Sequence, residues 1–125
     1  MKKLLSIIMM LVLSCSISFA AAQSPFFTKG EYFGKKVISI LLDDIDDDVE
    51  AQSHDFEYEM YAYLYNNLTC KEQFQDFFKG FKTGIYAKCE DDFGLTKNET
   101  NLLIDVDDLV EGISSAYYEE FESRF

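Results

Sequence analysis

The chain has 125 residues, 48% of them hydrophobic and 27% charged, with 23 acidic against 11 basic residues and a formal charge of −12. Nucleic-acid binders need a basic face, and an anionic membrane surface repels so acidic a chain, so both partners are excluded. The length allows one small domain and no second.

Lys2 and Lys3 precede a nearly all-apolar run from Leu4 to Leu13, and Ala20-Ala21-Ala22 supplies small residues before Gln23. That is the pattern of a secretory signal peptide over residues 1–22, leaving a helical domain over 23–125 in the periplasm or outside the cell. The apolar core is short for a membrane span, so none is expected. Val12-Leu13-Ser14-Cys15 offers a competing cut, a lipobox in which Cys15 becomes a lipidated N-terminus. Without Lys2 and Lys3 the chain keeps 9 basic residues against 23 acids, a net charge near −14. Such a surface steers a basic protein partner toward it.

Three stretches carry the T-x-x-E pattern of a capping box: Thr28 to Glu31, Thr69 to Glu72 and Thr96 to Glu99. In each, the threonine oxygen can accept from the N3 amide while the glutamate reaches back to the cap amide. Phe33, Val37, Ile40, Leu41 and Ile45 follow the first box at helical spacing, although Val37 to Leu42 also suits a short buried strand. Over 54–68, Phe56, Met60, Leu64 and Leu68 fall four apart, while "FEYEMYAYLY" also alternates like a strand. Phe74, Phe77, Phe78, Phe81 and Ile85 form the stripe of a third run. A fourth, from Leu102 to Phe121, reads as one helix of more than five turns. Together these predict an all-α, compact four- to five-helix domain.

Cys70 and Cys89 bracket the third run. An exported protein meets an oxidising compartment, and an even cysteine count favours a bond between them. A straight helix of 19 residues holds its ends about 28 Å apart, whereas a disulfide needs Cα atoms roughly 4.4–6.8 Å apart. A hairpin at Gly80, midway between the cysteines, reconciles the two and is the expectation here. The alternative is an unbroken helix in which Gly80 and Gly84 serve close helix packing and the cysteines pair across a dimer or stay reduced.

Nine acids and no Lys or Arg lie between Asp43 and Glu59. Asp44, Asp46 and Asp48 occupy positions 1, 3 and 5 of a possible calcium loop. Val49 and Asp55 then stand where an EF-hand has Gly and Glu, so no metal is expected. A solvated acidic helix end is one reading, and a docking surface for a cationic partner is the other. Tyr58, Tyr61, Tyr63 and Tyr65 lie beside the acids; aromatics are enriched at interfaces, but core packing is expected for at least half of these.

His54 is the only histidine. One His and two cysteines make no zinc site, and a Ser-His-Asp triad would have to rest on this one charged segment. There is no nucleophile elbow and no phosphate-binding glycine loop. No enzyme activity and no cofactor are expected. Asn67 and Asn98 open glycosylation sequons, which matter only in a eukaryotic secretory pathway.

Gly80-Phe81-Lys82-Thr83-Gly84-Ile85 resembles a helix motif of the immunity proteins that protect bacteria from type VI secretion amidase effectors. Cys89 followed by Gly94-Leu95-Thr96 is similar to that family's cysteine and Gly-Val-Thr before its final helix, and "PFFTKGEYF" is similar to its start. Phe78 stands where the pattern has a cysteine, and the proline expected after Cys89 is absent. The resemblance, over some 40 residues, implies a small, periplasmic, helical and disulfide-bonded protein that occludes a toxin's active site. The leading expectation is therefore an immunity protein with contacts at Asp46, Asp47, Asp48, Tyr58 and Tyr61. The alternatives are an acid-stress periplasmic chaperone and an interaction subunit of an envelope complex that uses the Gly80 and Gly84 face.

Overall fold

Residues 24–42 and 49–125 are described by the computed structural model. They form α1 (Pro25–Leu42), α2 (Val49–Asn67), α3 (Lys71–Phe93), α4 (Lys97–Leu103), α5 (Val106–Phe121) and a 3-10 turn (Glu122–Arg124). No strand occurs among the described residues; 37–42 and 54–67 are helix, and Leu68 follows the end of α2. The signal peptide, Cys15 and Asp43 to Asp48 lie outside the described residues.

Local chemistry sets each helix end. α1 starts ahead of the expected Thr28 box: the Phe27 amide donates to Ser24 Oγ at 3.2 Å, and Pro25 occupies the first helical position, where a missing N–H costs nothing. At the start of α3, Cys70 is the cap residue and makes no side-chain cap bond; Gln73 Oε1 instead accepts from the Thr69 amide at 2.7 Å. Only the third box closes as read, with the Glu99 amide donating to Thr96 Oγ1 at 3.2 Å and the Thr96 amide to Glu99 Oε1 at 2.9 Å. Gly94 ends α3 in the left-handed region at φ 67°, its amide donating to Glu90 O and that of Leu95 to Cys89 O.

The long fourth helix is two helices. Ile104 is extended, and Asp105 Oδ1 accepts from the Asp108 amide at 3.2 Å, starting α5 afresh. The break turns Leu102 and Leu103 outward, 86% and 72% exposed, where one continuous helix would have placed them on the core stripe.

α1 and α3 run parallel and touch backbone to backbone. A Cβ on Gly30 would land on the carbonyl oxygen of Phe77, and one on Gly34 on that of Phe81. From the other side, Gly80 faces the Phe27 carbonyl and Gly84 that of Glu31. Each helix thus presents two glycines four residues apart, one turn above the other, and receives its neighbour's backbone between them. α2 and α5 return antiparallel to this pair. Phe33, Phe56, Met60, Leu64, Leu68, Phe77, Phe81, Ile85, Val106 and Phe121 fill the space between, all buried. Burying each such side chain stabilises the fold by about 1.5–3 kcal/mol. Within this core the Phe77 and Phe78 rings meet edge to face at 5.0 Å, and those of Phe33 and Phe56 at 5.8 Å.

This packing corrects the expected disulfide. α3 is unbroken from Lys71 to Phe93, so no hairpin forms at Gly80 and the cysteines stay at opposite ends of one helix. Both thiols are free, with Cys89 buried and Cys70 partly exposed. The glycines that offered a bend are occupied by α1. For the same reason, the Gly80 and Gly84 face is not open to an envelope partner.

Candidate partner-binding surface

α2 has two faces. Phe56, Met60, Leu64 and Leu68 point into the core. His54, Tyr58, Tyr61 and Tyr65, spaced four, three and four apart, share a solvent-facing stripe that flanks this buried face. Tyr58 is 76% exposed, Tyr65 54% and Tyr61 42%. Of the four tyrosines in the segment, only Tyr63 turns inward, to stack on Phe77 at 5.7 Å; burial pushes its phenol pKa up. Core packing therefore takes fewer of them than the composition suggested.

Two of these rings, Tyr61 and Tyr65, are held rather than loose. Tyr61 and Tyr65 stack at 6.1 Å with a 17° interplanar angle, and both lean on Phe121 at the end of α5. Arg124 closes the patch from the 3-10 turn. Its guanidinium sits 4.7 Å from the Tyr65 ring centroid and donates to the Tyr65 carbonyl at 2.8 Å. No local sequence pattern points to Phe121 and Arg124 as supports, because their contacts span about sixty residues of chain.

The electrostatics are one-sided. α2 carries Glu50, Asp55, Glu57 and Glu59 and no Lys or Arg. Glu59 is neutralised by Lys36 of α1 at 2.6 Å, and that bond raises the lysine's pKa despite slight burial. α5 carries Asp107, Asp108, Glu111, Glu119 and Glu120 and likewise no Lys or Arg, with Asp107 paired to Lys82. Asp105, followed by Glu111 and Asp107, pushes the Asp108 carboxyl pKa up.

Tyr58 and Tyr61 thus sit together on one exposed stripe. Asp46, Asp47 and Asp48 lie outside the described residues, immediately before α2. Val49 to Asp55, the second half of the supposed calcium loop, are the first turns of α2 instead. Among the described residues, no three His, Cys, Asp or Glu side chains gather where they could hold a metal ion, and no helix is long and apolar enough to cross a membrane.

No family model, curated protein or solved structure matches the chain.

Proposed function

We propose that this protein works by binding another protein, and most concretely that it is a periplasmic immunity protein that neutralises a secreted toxin by stoichiometric occlusion. The observation that supports this reading is the exposed row of Tyr58, Tyr61 and Tyr65, the last two braced by Phe121 and Tyr65 also by Arg124, on a helix with four acids and no Lys or Arg. Braced aromatics contribute contact area at small entropic cost, which is why tyrosines dominate binding hot spots. The surrounding carboxylates, with Asp46, Asp47 and Asp48 before them, steer a basic cleft into place and speed association.

The test is protection. Cells directing a panel of cell-wall amidase toxins to their periplasm are scored for lysis with and without co-expression of this protein. Rescue against one toxin, lost with Tyr58→Ala plus Tyr61→Ala, supports the reading. Lysis unchanged across the panel counts against the immunity role.

A further inference from the structure

An apolar groove of about 380 Å³ opens between the C-terminal half of α1, the start of α2 and the middle of α5. Ile40, Leu41, Phe56, Leu109, Ile113 and Tyr117 supply most of its walls. Gly112 and Ala116, four apart on α5, line its mouth. Unlike the four glycines between α1 and α3, Gly112 has open space where a Cβ would go. Small residues one turn apart are what allowed α1 and α3 to meet at backbone distance, and among the described residues the same pair of positions here has no partner helix.

The charge on the walls selects the occupant. Among the described residues, Glu57 is the one charged residue lining the groove. Neither α2 nor α5 carries a Lys or Arg, and Lys36 of α1 is already engaged by Glu59. A second copy of this chain would bring acidic walls against acidic walls. We propose that the groove receives an amphipathic helix of the partner, with aliphatic residues entering between α1 and α5 and lysines or arginines meeting Glu57 and the acids of α2 and α5. This rests on the partner-binding reading above and adds a second contact, distinct from the tyrosine stripe.

The probe is a fluorescein-labelled 18-residue peptide of leucine and lysine patterned as an amphipathic helix. A scrambled peptide of the same composition controls for charge alone. The variants are Gly112→Trp, which fills the mouth from a position with free space above it, and Ala116→Gln at an exposed position; thermal melts establish that each folds. Fluorescence anisotropy is expected to show the patterned peptide binding at least tenfold tighter than the scrambled one. Either variant should weaken the patterned peptide about tenfold and leave the scrambled peptide unchanged. Equal binding of both peptides, or indifference to both variants, overturns the proposal, as does a dimer in light scattering that Gly112→Trp abolishes. The two readings fail separately. A toxin complex that is lost with the tyrosine variants but kept with Gly112→Trp removes the groove and leaves the binding function. A groove that binds the patterned peptide in a protein that protects against no toxin removes the immunity role alone.

Discussion

Gly80 lies so close to Phe27 that a Cβ on the glycine would fall on the phenylalanine's carbonyl oxygen. The neighbour is backbone, which has no rotamer by which to yield, so α1 and α3 must separate to admit even one methyl group. Gly80→Ala is therefore expected to destabilise the domain by about 3 kcal/mol, against a typical gain of about 1 kcal/mol for Gly-to-Ala in an open helix. Gly112→Ala is the matched control, because its Cβ would meet nothing. Chemical denaturation should show the midpoint falling for Gly80→Ala and rising for Gly112→Ala.

The cysteines give a second expectation. α3 separates Cys70 and Cys89 by about 28 Å of helical rise. In protein purified without reductant and alkylated in denaturant, peptide mass spectrometry should find Cys70 and Cys89 both as free thiols. In the native state Cys70 should alkylate first, because Cys89 is 1% exposed. A Cys70–Cys89 link within a monomer would mean that α3 bends in solution.

Thr100 is 1% exposed, and its Oγ1 finds no hydrogen-bond partner among the described residues. A buried unpaired hydroxyl is a net penalty of about 1–3 kcal/mol. Thr100→Val keeps the shape and removes the hydroxyl. Its melting temperature should equal or exceed that of the wild type, whereas a loss would reveal a partner for the oxygen.

Asp108 sets the sign of one pH effect. Asp105 and its neighbours raise the folded-state pKa of the Asp108 carboxyl above its ordinary value of 3.8. The folded form then holds this proton more tightly than the unfolded chain does. This group's contribution to stability is fully present below the unfolded pKa and is lost as pH rises through the folded one. Asp108→Asn should raise stability at pH 7 and lose that advantage in acid, as read from melts between pH 3 and 7.

Much of the bundle was legible in the chain. The four-residue spacing of Phe56, Met60, Leu64 and Leu68 identified the buried face of α2, and the box at Thr96 identified the start of α4. Misreadings arose where a short-range cue competed with another. Asp105 is a helix-cap residue embedded in an apolar period that runs straight through it, so periodicity hid the break. The Thr28 box was pre-empted by Ser24 and Pro25, which start α1 earlier.

The glycines were half legible. Gly80 and Gly84 are four apart, which suits a bend or a packing seam equally while α3 is considered alone. The matching spacing of Gly30 and Gly34 was the signal for a seam, since two such pairs can interlock and a bend needs only one. The binding surface divided in the same way. The exposed row of Tyr58, Tyr61 and Tyr65 follows from the phase of α2, once Phe56 and Met60 are assigned inward. Its support by Phe121 and Arg124, and the groove between α1, α2 and α5, depend on tertiary placement that no local pattern encodes.

The most direct test of the central claim is calorimetric titration of this protein into purified cell-wall amidase toxins at low and high salt. The account predicts a one-to-one complex with at least one of them. Its affinity should fall as salt rises, and drop at least tenfold with Tyr58→Ala plus Tyr61→Ala. A complex insensitive to both salt and the tyrosines, or no complex with any of the toxins, would contradict it.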